Sequence, residues 1–323
     1  MNKKIRHIDL KRARIAVVYG GISKERPGSL VSGQTVFNSL KRQGFDVFAV
    51  DPKLDNLYQK LKNADVAFLI LHGRYGEDGK IQGFLEAMQI SYVGSGVLAS
   101  AIGMDKLMFK ELLASQKILT PRYETIDLRQ NLEKEAKRVI KKLGLPVFLK
   151  PISEGGSLGS AVIHVENQLI EAIRKEIGKG FDGFLVEEYI KGRSVTVGIL
   201  ERDGKPTCLP ILETISKKEF YDYEAKHDPN LHIYRCPAPI LKTVYQRIQN
   251  ISLQIHLLLR CHGFSRVDFI IDKYRSFVLE INTLPGLSPQ SNMATMAKAA
   301  GLSYDQLVLT ILKTIWTKPN YLP

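Results

Sequence analysis

Short apolar strands alternating with helical stretches over the first hundred residues leave this chain few folds to choose from. Residues 14–20 carry Ile15, Val17 and Val18 and stop at Gly20-Gly21, and 45–50, 66–71 and 92–93 repeat the apolar run. Between them, 32–43, 54–62 and 83–88 read as helices. Strands joined by crossover helices predict a parallel α/β sheet. Open sheets of this kind bind ligands at the carboxyl ends of their strands. That rule singles out the segment Gly20-Gly-Ile-Ser-Lys-Glu-Arg26 and the loop His72-Gly-Arg-Tyr-Gly-Glu-Asp-Gly79.

The remainder mixes its elements differently. Helices are expected near 105–115 and 132–143, and strands at 147–150 and 161–164 flank a glycine-rich segment at 153–159. A helix at 168–177 and a strand at 184–187 follow. Beyond Gly192 the pattern gives strands at 195–200 and 208–212, a polar, aromatic stretch at 217–230 and a long helix at 241–262. A hairpin over 266–281 and helices near 292–300 and 304–314 complete the chain. At 323 residues, two or three domains are expected. The divisions read as a basic tail over 1–13, an α/β domain over 14–103, a central lobe over 104–190 and a C-terminal lobe over 191–323.

Composition narrows the class. Hydrophobic residues at 44% and charged residues at 24% are globular values and argue against disorder. The net charge of +13 asks for an anionic partner: nucleic acid, an anionic membrane or a phosphorylated small molecule. The longest charge-free run, 87–104, is broken by three Gly, three Ser and a Gln, so it is not expected to span a membrane. Asp9 and Lys11 interrupt any apolar leader, so no secretory signal is expected. Cys208, Cys236 and Cys261 are scattered and form no CxxC pair, which suits reduced thiols in a cytoplasm. No RNA-binding motif accompanies the basic tail, and a nucleic-acid partner is not expected.

The hairpin carries the most chemistry. Side chains alternate along a strand, so Arg266 and Asp268 share one face and Glu280 and Asn282 share another. The turn is expected near Asp272–Arg275, and folding about Tyr274 sets Asp268 roughly across from Glu280. Facing carboxylates repel unless something neutralises them, and a hard cation such as Mg²⁺ takes carboxylate, amide and phosphate oxygens. Upstream, Lys150-Pro-Ile-Ser-Glu-Gly-Gly-Ser-Leu-Gly159 combines a point charge with glycines that let backbone N–H groups converge on phosphate. A flexible hairpin turn explains the glycines equally well, and neither a Walker loop nor a GxGxxG fingerprint is present. Together with the hairpin, the loop describes a nucleoside triphosphate site outside the P-loop class.

From about residue 14 to 314 the chain resembles the D-alanine–D-alanine ligases of the ATP-grasp superfamily. The family's HGxxGEDG signature stands at His72–Gly79, its G-x-x-R-x-D strand at 263–268, its E-x-N-[TS]-x-P-G at 280–286, and its FYDYEAK lid at 220–226. The resemblance implies an α/β N-terminal domain followed by two α+β lobes that grip ATP. It implies phosphorylation of the carboxylate of a first D-alanine by ATP and attack on the acylphosphate by the amine of a second. Asp268, Glu280 and Asn282 match the ligands of two Mg²⁺ ions, with Mn²⁺ a workable substitute. Arg266 and the backbone at Gly286 match the groups that stabilise the oxyanion and the transferred phosphate. Lys106, Lys150 and the lid's Lys226 match phosphate contacts, with Ser157 in the glycine-rich loop beside them. Glu187 matches the reader of the adenine amino group, and Glu188 and Ile190 line the hinge. Glu25 matches the carboxylate holding the first substrate's ammonium, Ser291 the hydroxyl on the second substrate's carboxylate, and His72 lies in the substrate pocket. Small-molecule substrates, a role in peptidoglycan precursor synthesis and homodimeric assembly come with the family.

Departures from the family pattern keep the second substrate open at this point. The loop usually reads E-G-S-S-x-G, but Gly156 replaces the serine that bonds the first-domain glutamate. The lid usually continues EAKY, but His227 replaces the tyrosine, so two members of a hydrogen-bonded triad with Glu25 are missing. Ser194 stands where a ribose-contacting glutamate is usual. Glu25 is expected to lose a charge-assisted hydrogen bond unless Ser157 or Ser153 shifts towards it. A ligase making D-alanyl-D-lactate or another dipeptide, and a catalytically silent nucleotide-binding regulator, are the rival readings.

Overall fold

The computed structural model describes residues 8–220, 224, 228–273 and 275–318. Strands β1 (Arg14–Tyr19), β2 (Asp46–Val50), β3 (Val66–Ile70) and β4 (Ser91–Tyr92) form a parallel sheet in the order β2-β1-β3-β4. All five residues of β3 are buried, as a strand covered on both faces requires. Helix α1 (Arg26–Arg42) covers one face through Val36 and Leu40. It starts six residues before the expected 32, because Pro27 in the first turn needs no N–H partner and presets φ.

A second sheet is antiparallel, ordered β5-β8-β6-β7 from β5 (Tyr123–Thr125), β6 (Val147–Pro151), β7 (Ala161–Ile163) and β8 (Phe184–Glu188). Strand β5 is too short to show a pattern and was not anticipated. Between β6 and β7 lies the glycine-rich loop. Two helices, Leu132–Leu143 and Glu166–Ile177, pack beneath through Val139, Leu169 and Ile173.

The third sheet runs β12-β11-β9-β13-β14, with β10 on β9. Its strands are β9 (Arg193–Arg202), β10 (Lys205–Cys208), β11 (Leu212–Ser216), β12 (His232–Arg235), β13 (Phe264–Asp272) and β14 (Arg275–Asn282). The single strand expected at 208–212 is instead the gap between β10 and β11, where Pro210 cannot donate to a ladder. The long helix spans Lys242–Leu258 and stops short of 262. Lys106–Ser115 packs Phe109 and Leu113 into the core of this third sheet, not the second. The closing helices, Asn292–Ala299 and Tyr304–Lys313, share a core with the first sheet through Met293, Leu307, Val308 and Ile311. Among the described residues no helix is long and apolar enough to cross a membrane.

Candidate active site

Two loops leave adjacent parallel strands at their carboxyl ends and are tied together before any ligand arrives. The Ser23 hydroxyl donates to the His72 carbonyl at 2.6 Å, and the Ser29 hydroxyl donates to the Ile70 carbonyl. Arg26 forms a bidentate pair with Asp51 at 2.9 and 2.7 Å and also donates to the Gly21 carbonyl. Glu25 is thereby held at the start of α1, where the helix dipole favours a carboxylate. Both loops open into a cleft of about 1960 Å³, whose lining includes Glu25, His72, Lys106, Lys150, Ser157, Glu187, Glu188, Ile190, Arg266, Asp268, Glu280, Asn282, Gly286 and Ser291. Among the described residues, the expected constellation thus lines one cavity. Lys226 and His227 lie outside the described residues.

The hairpin has the expected register: Asp268 faces Glu280 and Arg266 faces Asn282. A bulge follows, with Phe269 opposite Val278. Arg266 grips Asp268 with both ends of its fork, at 2.9 Å each, and Thr196 on β9 donates its hydroxyl to the same carboxylate. Burial works against the Arg266 charge, but Asp268, then Glu280 and Glu77, outweigh it and hold the guanidinium ionised. Asp268, Glu280 and Asn282 offer only hard oxygen donors, two of them carboxylates facing one another and the third an amide oxygen that accepts one bond, from Leu284 N–H. That donor set fits Mg²⁺.

His72 is neutral. Burial first, and Arg266 second, push its pKa down to about 4, against a backbone hydrogen bond at Leu284. Because the folded value lies below the ordinary 6.5, the unfolded chain binds the extra proton between these pH values. The His72 contribution to stability therefore falls as pH drops from 6.5 towards 4. The His72 ring protons should show no titration by NMR between about pH 5.5 and 8; a midpoint near 6.5 would contradict this. A Cβ on Gly286 would sit 3.7 Å from His72 Nε2, so that backbone passes directly beside the ring.

Two surroundings differ from the expectation. Glu187 does not face the cleft alone: its Oε1 lies 2.6 Å from Lys110 Nζ and 2.8 Å from Lys150 Nζ, and all three side chains are buried. Burial raises the Glu187 pKa, but Lys150 and Lys110 together bring it below the usual carboxylate range. Burial also pulls Lys110 down to about 8, with Glu187 opposing and Lys150 assisting. Glu188 turns its carboxylate to Arg122, at 2.8 Å, leaving its backbone to the hinge. Lys106 donates to the Glu154 carbonyl of the glycine-rich loop. Ser291 caps the helix Asn292–Ala299 by accepting from Ala294 N–H, so its hydroxyl sits at a helix N-terminus. Ser194 lies on β9 and lines the cleft.

The glycine-rich loop also differs from the sequence reading. Gly155 and Gly156 lie on the Glu25 carboxylate: a Cβ at 155 would stand 2.3 Å from Oε1, and one at 156 would stand 3.0 Å from Oε2. Gly156 has φ +63°. The loop backbone lies against the carboxylate, so a side chain at 155 or 156 would have to displace Glu25. Gly156→Ser is therefore expected to destabilise by about 1–2 kcal/mol and to lower activity instead of restoring a family contact. Thermal unfolding and initial rates check this, and a gain in both would contradict it.

Sequence reasoning missed Glu77, Lys110, Arg74 and Thr196. Glu77 is buried; burial, then Glu25, raises its pKa well above the carboxylate range, against Gly73 N–H and Arg266. It lies inside the HGxxGEDG motif, so the signal was present. Lys110 follows Lys106 by four residues on one helix, spacing that puts both on one face.

Models of the D-Ala D-Ala ligase C-terminus and N-terminus match residues 112–313 and 51–95. D-alanine–D-alanine ligases of Carboxydothermus hydrogenoformans and Pseudothermotoga lettingae are each 41% identical to the chain, covering 93% of it and 97% and 99% of themselves. A Bacillus anthracis D-alanine–D-alanine ligase solved in complex with ATP matches with a TM-score of 0.80 at 31% identity, over 94% of this chain and 97% of that one. The VanG D-Ala:D-Ser ligase of Enterococcus faecalis matches at 0.78 and 28%, over 94% and 99%. With an α/β sheet presenting Glu25 and His72 to a hairpin that carries Arg266, Asp268, Glu280 and Asn282, and relatives of this identity along nearly its whole length, the chain belongs to the D-alanine–D-alanine ligase family.

Proposed function

We propose that the chain joins two D-alanines to D-alanyl-D-alanine with conversion of ATP to ADP and phosphate. The observation that carries this reading is the convergence in one cleft of Glu25 and His72 from the parallel sheet with Arg266, Asp268, Glu280 and Asn282 from the antiparallel one. The first group suits a small amino acid, and the second suits a phosphoryl group in transfer.

The first D-alanine places its ammonium on Glu25 and its carboxylate towards Arg266. A carboxylate oxygen takes the γ-phosphoryl group, giving D-alanyl phosphate and ADP. The free amine of the second D-alanine attacks the carbonyl carbon, the tetrahedral intermediate collapses, and phosphate leaves. Arg266 and the backbone at Gly286 stabilise the oxyanion, a role suited to donors fixed before the reaction begins. Neutral His72 adds no positive charge to repel the ammonium of the second D-alanine as it enters, before that group gives up its proton and attacks as the free amine. Ser291 and the helix N-terminus behind it receive the second carboxylate. Asp268, Glu280 and Asn282 would hold two Mg²⁺ ions, or Mn²⁺, which would supply positive charge against that of the transferring phosphoryl group. Lys106, Lys150, Ser157 and Lys226 serve the phosphates, while Glu187, Glu188 and Ile190 serve the adenine.

The relatives with 41% identity over 93% of the chain are D-alanine–D-alanine ligases, which favours D-alanine as second substrate. Nothing in the comparisons favours a depsipeptide product or a silent regulator. The reading extends to peptidoglycan precursor synthesis, a cytoplasmic location, a homodimer, and the two lobes over 104–190 and 191–323 as the grip on ATP. It is tested by phosphate release from ATP with Mg²⁺ and D-alanine, D-lactate, D-serine or glycine across pH 6–9. D-Alanine alone should support full turnover; a higher rate with another second substrate would overturn the assignment.

A further inference from the structure

The glycine-rich loop is poorly equipped to hold its own shape. Gly156, Ser157 and Gly159 all have positive φ, at 63°, 59° and 70°. Its internal backbone bonds include Leu158 N–H to Gly155 carbonyl at 3.1 Å and Ser160 N–H to Ser157 carbonyl at 3.3 Å. Ordering such a segment costs conformational entropy, glycine most of all. The serine of the family pattern is Gly156 here, so side chains that reach the loop from elsewhere in the first domain bear more on its position.

Arg74, in the loop after β3, meets it. Its Nε lies 2.7 Å from Glu154 Oε1 and donates to the Ser153 carbonyl at 3.2 Å, and its Nη2 lies 3.7 Å from Asp182 Oδ1. The Glu154 side chain is 10% exposed and that of Arg74 37%, so the carboxylate end of the pair is sheltered while the guanidinium keeps contact with solvent. Lys24, one residue before Glu25, makes a parallel contact: its Nζ sits 3.9 Å over the Phe181 ring and donates to the Lys179 carbonyl at 3.4 Å. Two cations of the first domain thus grip the central lobe on either side of the pocket that holds Glu25.

We propose that Arg74 is a positioning residue that clamps the glycine-rich loop over the first-substrate pocket, keeping water from the acylphosphate until the second amine arrives. The inference rests on the ligase reading above. Without the clamp, water attacks the carbonyl carbon of D-alanyl phosphate, and D-alanine and phosphate leave. ATP is then hydrolysed with no dipeptide formed. The groups facing the Glu154 carboxyl are Arg74, Lys24 and Lys106, with Asp182 beyond; burial raises its pKa and the three cations oppose that rise. Removing Arg74 therefore moves the Glu154 titration upward, and the acid limb of kcat/KM with it.

The test compares Arg74→Ala, Arg74→Lys and Glu154→Gln with Lys80→Ala, which removes the contacts of Lys80 with Asp78 at 2.7 Å and with the Tyr75 ring at 4.7 Å and leaves the Arg74–Glu154 pair in place. The first readout is phosphate released per dipeptide formed. The second is amide hydrogen exchange at Leu158 and Ser160 in the ligand-free protein. Arg74→Ala and Glu154→Gln should raise the ratio from one to roughly two or more and speed exchange about tenfold. Arg74→Lys should fall between them and the parent, and Lys80→Ala should match the parent. A ratio of one in both Arg74→Ala and Glu154→Gln overturns the water-excluding role. Unchanged exchange overturns the clamp itself. If the parent protein makes no dipeptide, the ligase reading fails, and the exchange measurement still decides whether Arg74 holds the loop.

Discussion

Asp268→Asn is expected to lower kcat by about a thousandfold, some 4 kcal/mol of transition-state stabilisation. The substitution keeps volume and shape but removes the charge on which two arrangements depend. Asp268 accepts both arms of Arg266 and the Thr196 hydroxyl, and it faces Glu280 across the ladder. An amide can accept only through its one oxygen, so the guanidinium loses its bidentate partner and turns away from the line of the reacting carboxylate. The proposed metal site loses one of its two carboxylates, so the Mg²⁺ concentration for half-maximal rate should rise together with the fall in kcat. Steady-state rates under Mg²⁺ titration measure both. A variant within about tenfold of the parent rate would show that Asp268 holds neither the metal nor Arg266 in its working position.

Glu187→Gln is expected to produce the largest loss of stability, about 3–5 kcal/mol. Lys110 and Lys150 lie 2.6 and 2.8 Å from the same carboxylate oxygen, and the trio has little solvent to fall back on. The neutral amide leaves two ammonium groups facing each other without their counter-charge. The pH dependence carries the sign. Glu187 has a folded pKa below its ordinary value, so its contribution is present above that value and lost as pH falls. Lys110 has a folded pKa of about 8, below the ordinary 10.5, so the unfolded chain binds the extra proton between those values and stability from this group rises with pH through that window. In Glu187→Gln the remaining lysine repulsion should move the Lys110 transition lower still. Urea unfolding at pH 7 and pH 10 checks this, with a smaller deficit expected at pH 10. An equal deficit at both pH values would mean that lost packing, not lost charge, is responsible.

Much of the site was legible because its parts are local. A hairpin folded about residue 274 sets Asp268 near Glu280, and the structure has that pair, though by another route: counting from the Asp272–Arg275 turn alone would set Asp268 against Leu279, and the bulge between Asp268 and Phe269 shifts the partner to Glu280. The loops after β1 and β3 were legible because strands of a parallel sheet end on one side. What escaped depends on contacts between segments far apart in the chain. Lys110 reaches Glu187 across 77 residues, Arg74 reaches Glu154 across 80, and Thr196 reaches Asp268 across 72. Nothing in the sequence around Arg74 distinguishes a clamp from a solvated arginine, because the difference lies in which lobe faces it. Gly156 reads in the sequence as a lost bond, since a missing side chain is visible there and the close approach of the backbone at 155–156 to Glu25 is not. The strands at 205–216 were misplaced for a related reason: Leu209, Pro210 and Ile211 are apolar and buried at Leu209 and Ile211, yet the proline breaks the ladder there. The +13 charge remains only partly explained by Lys106, Lys150, Lys226 and Arg266.

Product identification by mass spectrometry, from ATP, Mg²⁺ and an equimolar mixture of D-alanine and D-lactate, tests the central claim most directly. The account predicts D-alanyl-D-alanine as the dominant product, formed with one phosphate released per dipeptide, and about a thousandfold less of it in the Asp268→Asn control over the same time. A dominant D-alanyl-D-lactate peak, or ATP turnover with no condensed product from the parent protein, would contradict it.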